Sequence, residues 1–285
     1  MNRGWFRKTA LWLGFAFLYF PILSMVVFSF NNSRLVSVWD AAGSPTVKWY
    51  GLLLQDSQYL SAAWLSIQVA AMSATGAMVL GTVAGLVLAR FGPFRGRALL
   101  SSMTTAPLVM PEVITGISML LLFVALEHTL GVWIGWPQGR GVWSLVIAHV
   151  TFSMAYVTVV VQSRLAGFDD SMEEAAMDLG ARPAKVFFRV TLPLILPAVI
   201  SGWLLAFTLS WDDLVISQFV SGPGSTTLPM LVFSKVRLGV DPTINALATI
   251  LVVIVALGVV LSSLYLRRQE QQRQREIQAS LANGR

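Results

Sequence analysis

The sequence predicts an all-α integral membrane protein with six transmembrane helices. Hydrophobic residues make up 55% of its 285 residues and charged residues 12%, where soluble domains carry about 25% charged residues. Six apolar segments reach the roughly 20 residues that a hydrocarbon core of about 30 Å requires. Lys and Arg gather in alternate connections, as the positive-inside rule expects of a multi-pass chain.

The spans are expected near 9–30, 62–89, 99–126, 142–162, 198–220 and 244–266. The first follows Arg3, Arg7 and Lys8. Its apolar run is too long for a signal-peptide core and lacks a small-residue cleavage site before Asn31, so it is read as an uncleaved span. The third is broken by Pro107, Pro111 and Gly116, and the fifth is interrupted by Asp212 and Asp213. A polar connection over 163–197 joins spans four and five, and the Gln- and Arg-rich tail 267–285 reads as a helical or frayed extension. The whole of 1–285 is expected to form one transmembrane domain.

Fifteen of the 20 basic residues fall on one side of this topology. They lie before span one, in the connection with Arg90, Arg95 and Arg97, in the polar loop (Arg164, Arg182, Lys185, Arg189) and in the tail. Both termini and the polar loop are therefore expected in the cytoplasm. The net charge of +6 is then a topology signal. It is not a nucleic-acid footprint, because no basic patch is interleaved with stacking aromatics. Trp49, Trp64, Trp133, Trp136 and Trp143 fall near the outer ends of the spans, where an aromatic belt is expected.

The absence of cysteine excludes disulfides, thiolate metal sites and a Cys nucleophile. His128 and His149 are too few for a histidine-rich metal site and read as packing or interface residues rather than ligands. No Gly-x4-Gly-Lys-Ser/Thr loop occurs, so the chain is expected to bind no nucleotide itself. No nucleophile–base pair stands out, which argues against an enzyme.

The polar loop is rich in helix signals. Ser171 and Glu174 have capping-box spacing, and Asp169, Asp170 and Glu173 add favourable negative charge at the same helix start. Gly180 supplies a left-handed stop, Pro183 suits the first turn of a second helix, and Pro193 is expected to end it. Ala175 and Ala176 allow close approach of a partner, while Glu174 and Asp178 share a face. These features alone leave open a docking element or a solvated amphipathic connector.

The spacing Glu174-Ala175-Ala176, three residues, Gly180, nine residues, Val190-x-Leu192-Pro193 resembles the cytoplasmic loop of binding-protein-dependent ABC importer permeases. Val190 stands where Ile is commoner in that family. The stretches 106–116, 210–216 and 219–224 are similar to polyamine permeases, with Trp211 in place of a more aliphatic residue. The resemblance implies a type I importer permease fold in a bacterial inner membrane. It implies that Glu174, Ala175, Ala176, Asp178, Gly180 and Pro193 belong to a coupling element seated on an ATPase. It also implies a second related permease chain, two ATPase subunits that bind the ATP and Mg, a soluble binding protein and a polyamine cargo.

Ionisable groups at membrane depth default to functional candidates. Glu112 and Asp212 each lie roughly 20 Å along their spans, at 1.5 Å per residue. Glu112, Asp212 and Asp213 are therefore candidates to line a path for a dication, with Trp211 offering a cation–π face. Asp212 and Asp213 point about 100° apart, so one is expected to face the path while the other caps a broken helix or pairs elsewhere. The alternative is that the acids hold spans together through buried hydrogen bonds or a partner Arg. The outer connection 221–242 is either a contact for the binding protein or a passive loop. The rival readings are an importer of another solute and a secondary transporter. The second predicts inverted repeats, and none is visible.

Overall fold

The computed structural model describes residues 3–35, 38–131, 139–169, 171–239 and 241–283. Trp133, Trp136, Asp170 and Arg285 lie outside the described residues. Among those described, the regular elements are helical, and six helices are long and apolar enough to cross a membrane.

The helices are α1 (Arg3–Phe28), α2 (Lys48–Gln55), α3 (Ser57–Arg90), α4 (Arg97–Val109), α5 (Glu112–Leu126), α6 (Val142–Ala166), α7 (Ser171–Asp178), α8 (Pro183–Val186), α9 (Leu192–Trp211), α10 (Val215–Val220), α11 (Leu228–Leu238) and α12 (Pro242–Asn283). A π-helical turn, Glu127–Gly131, follows α5, and another, Phe187–Thr191, joins α8 to α9.

The chain forms two compact units, 58–233 and the two terminal portions 1–57 with 234–285. In the terminal unit, α12 packs against α1 and α2. A buried Asn31 organises the loop after α1: its amide nitrogen donates to the Val38 carbonyl (2.7 Å), and its side-chain oxygen accepts from the Asp40 amide (2.9 Å). The Trp49 indole N–H donates to the Asn31 carbonyl at 2.6 Å. Trp49 is thus buried and departs from the predicted aromatic belt, because its polar edge is satisfied inside the protein; Trp64 and Trp143 are exposed as a belt requires.

In the central unit, α3, α6 and α9 pack through small residues. Lipid supplies no hydrophobic drive between helices, so association depends on close backbone approach. Ala70, Ala74 and Ala77 of α3 are fully buried, and a Cβ added at Gly81 would sit 2.7 Å from Val157 Cβ. Val157, Val161, Leu165, Ile195, Val199 and Ala206 complete one core, and Phe123, Leu145, Phe152, Ile216 and Val220 form a second.

The expected break in the third span falls at Pro111, while Pro107 and Gly116 lie within helices. The predicted third span is two helices, because Met110 is extended ahead of Pro111 (ψ 136°), a conformation that proline imposes on its neighbour. The predicted fifth begins earlier: Pro183–Trp211 is continuous, and Pro193 does not end it. Proline has no amide donor, but here it follows directly on a π-turn, where the ordinary i to i−4 bonding is already interrupted. The sixth helix continues through the tail to Asn283.

Gly81→Ala is expected to destabilise the detergent-solubilised protein by about 1–3 kcal/mol, the usual cost of overpacking. Gly14→Ala, whose added methyl would meet nothing within 4 Å, is the control. Equal melting temperatures for the two variants would show that α3 and α6 are not packed this closely.

Candidate functional site

The polar loop folds as a helix, a left-handed turn and a second helix. Gly180 has φ +81°. Its amide donates to the Met177 carbonyl at 2.8 Å, and the Ala181 amide donates to the Ala176 carbonyl at 3.1 Å. These paired bonds are a Schellman stop, which only glycine makes without Cβ strain. Arg182 is extended, and Pro183 opens α8 as predicted.

The start of α7 differs from the expected capping box. Ser171 is already helical, and its amide donates to Asp169 Oδ1 at 3.0 Å. The capping carboxylate therefore comes from Asp169. Bonds from the Ser171 amide and then its hydroxyl hold that carboxyl below the usual carboxylate range.

No residue of α7 is buried. Glu174, Ala175, Asp178 and Gly180 are exposed and Ala176 is half-buried, while Met177 and Leu179 add exposed apolar surface. Pro193 is also exposed, on α9. The acidic anchor that spacing did not single out is Glu173. Its Oε1 accepts from the Thr191 hydroxyl at 2.6 Å, and its Oε2 lies 3.3 Å from Arg90 Nε. A cavity of about 540 Å³ beside these groups is lined by Arg90, Glu173, Glu174, Met177, Phe187 and Phe188.

The second group of candidates lies where the fifth span breaks. The chain leaves α9 at Trp211 and resumes as α10 at Val215. Asp213 fills the break: its carboxylate accepts from the amides of Ile216 (3.2 Å) and Ser217 (2.7 Å), two otherwise orphaned donors. Its Oδ2 also lies 3.2 Å from Nε2 of His149, a residue 1% exposed. His149 Nε2 is 3.2 Å from the Ser217 hydroxyl, and Nδ1 is 2.6 Å from the Ser210 hydroxyl. Every polar atom of the imidazole is thus engaged, as a buried ring requires.

Asp212 and Glu112 are exposed, and Trp211 is half-buried. Trp211 ends a ladder of rings on α9: Trp203 and Phe207 stack at 5.4 Å, and Phe207 and Trp211 at 6.2 Å. A Cβ at Gly116 would lie 2.5 Å from the Phe219 ring, so α5 and α10 touch there. Glu112 and Val215 each stand four residues, about 6 Å of helix, before that contact.

Past α10, Arg140 and Ser144 donate to the carbonyls of Phe219 and Val220, at 3.0 and 2.7 Å. The predicted outer connection is partly helical, since Leu228–Leu238 forms α11, whose first amide donates to the Ser66 hydroxyl at 2.8 Å. His128 falls within the π-helical turn after α5.

The chain has relatives among known proteins. It is 59% identical over 272 residues to the putrescine transport system permease protein PotI of Escherichia coli strain K12, covering 95% of this chain and 94% of that protein. It is 42% identical over 253 residues to the spermidine/putrescine transport system permease protein PotC of the same strain, covering 89% and 90%. Its fold is similar to a chain in the crystal structure of a bacterial ABC transporter involved in import of the polysaccharide alginate. There the TM-score is 0.69 at 17% identity, over 92% of this chain and 98% of that one. Residues 81–275, well over half the chain, match the family model of the binding-protein-dependent transport system inner membrane component. With its helical fold and six candidate spans, the protein belongs to that family of inner-membrane transport components.

Proposed function

We propose that this chain is a membrane-spanning subunit of an ATP-driven importer that takes up putrescine or a related polyamine. The observation that carries this reading is the 59% identity, spread over 95% of the chain, to a protein named for putrescine transport. The chain does not hydrolyse ATP; ATP and Mg are bound by two partner ATPase subunits. A second, related permease chain supplies the other coupling loop, and a soluble binding protein delivers the cargo from outside. Both termini and the α7–α8 loop face the cytoplasm, in keeping with the charge bias.

The α7–α8 element is the coupling surface. Its exposed Glu174, Ala175 and Asp178, with half-buried Ala176, meet the ATPase, while the Gly180 turn sets the angle between its two helices. ATP-driven closure of the ATPases moves this element, and the spans shift between inward- and outward-open packings. At depth, Asp212 is the acid available to a passing diammonium ion, with Trp211 beside it and Glu112 at a similar level. A desolvated cation needs such partners. Asp213 acts differently: its bonds to two amides and His149 support a cap that keeps the break open for Asp212.

Uptake of labelled putrescine and spermidine into vesicles holding the complete complex tests the cargo. Putrescine uptake dependent on ATP and binding protein is expected, and Glu174→Ala is expected to abolish it without dissociating the complex. Uptake of neither polyamine would sink the cargo assignment. Asp212→Asn is expected to cut uptake by about ten-fold while leaving the melting temperature unchanged. Asp213→Ala should instead destabilise the protein by roughly 1–3 kcal/mol, the cost of stranding buried donors. Identical behaviour of the two aspartate variants would remove the division of roles.

A further inference from the structure

We propose that Glu173, the residue just before the Glu-Ala-Ala run, is the strut through which α7 moves two membrane helices at once. The inference rests on reading α7 as the coupling element. Three observations place Glu173 in this role.

The first is that α7 has no buried residue, so apolar packing gives it little grip on the membrane helices. Interlocked side chains transmit force because they cannot slide; an exposed helix lacks that grip. Glu173 is instead half-buried, with 18% of its side chain accessible, against an Arg90 at 13%.

The second is that the two carboxylate oxygens are divided between two spans. Oε2 faces Arg90, the last residue of α3, at 3.3 Å, and Oε1 accepts the hydroxyl hydrogen of Thr191 at 2.6 Å. The Thr191 bond is short, charge-assisted and directional, while the Arg90 contact is a largely buried ion pair, so movement of one partner is felt by both others. Glu173 thereby ties α7 to the end of the second span and the start of the fifth.

The third is where Thr191 sits. It closes the Phe187–Thr191 π-turn and is 4% exposed. Such turns are weak points in a helix and recur at functional places. The strut therefore grips the fifth span at its π-helical turn, on the same continuous helix that ends at Trp211 beside Asp212. Glu173 is a positioning residue: it touches neither cargo nor nucleotide, and acts through Arg90 and Thr191.

The test measures putrescine molecules imported per ATP hydrolysed, in vesicles holding the complete complex with its partner permease, ATPase and binding protein. Glu173→Gln removes the charge facing Arg90, and Thr191→Val removes the hydroxyl at nearly constant volume. Each is expected to lower the transport-to-hydrolysis ratio by about five-fold or more, within the range known for side chains on a coupling route. Basal hydrolysis and assembly should persist. The exchange Arg90→Glu with Glu173→Arg is expected to restore part of the ratio lost in either single change. A purely structural role would lower assembly and uptake together and leave the ratio constant, which overturns the proposal. If Glu173→Gln fails to assemble, Thr191→Val decides, and a wild-type ratio in that variant also overturns it. Glu174→Ala separates the two levels of inference. Uncoupling by Glu174→Ala with normal ratios at Glu173 and Thr191 rejects the strut alone. Normal ratios in all three variants reject α7 as the coupling element.

Discussion

A backbone amide inside a bilayer has no water to turn to, and the fifth span is built around that constraint. Where α9 stops and α10 begins, the first amides of α10 would be unpaired at depth, a cost of several kcal/mol each in hydrocarbon. Asp213 answers them with both oxygens. That carboxylate then needs His149, and His149 needs Ser210 and Ser217. The chain of dependence reaches α6, which carries His149 within a face that also buries Ala148, Phe152 and Ala155. A broken helix is kept from collapsing by one well-packed neighbour.

The same span links the two candidate sites. Pro183–Trp211 is a single helical run of 29 residues, or about 43 Å at the α-helical rise. One end is the second helix of the loop, and the other delivers the acid pair. A rotation or tilt imposed at the loop therefore reaches Asp212 with the π-turn and Pro197 interrupting the α-helical bonding on the way. Small residues along α3 and α6 give these helices close, stiff seating, so such a motion remains a movement of whole helices.

Much of this was legible in the sequence. Six apolar runs, the Gly180 stop and the Pro183 start are local signals, and local signals survive folding. The capping box is not realised because three acids crowd the start of α7, and spacing alone cannot say whether Asp169 or Ser171 supplies the capping oxygen. Pro193 was misread because a proline inside a helix is judged by the donor it removes, and the π-turn ahead of it is invisible to pattern. Asp212 and Asp213 were flagged together, yet only the fold separates them: one finds a histidine 64 positions away, and the other stays exposed. Glu173 was hidden for the same reason. Its partners are Arg90 and Thr191, and nothing in the residues around 173 announces either.

The π-turn also bears on how this family member can change length. A π-helical turn holds more residues than an α-helical turn of the same kind, so Phe187–Thr191 carries slack in its winding. Loss of one residue there lets the turn close as ordinary α-helix, and α9 keeps its azimuth. Loss of one residue further along α9 turns everything beyond it by about 100°. That rotation would swing Trp203, Phe207 and Trp211 off their common stripe. The loop-proximal turn is a phase buffer, and the stretch that follows it is held to a fixed count.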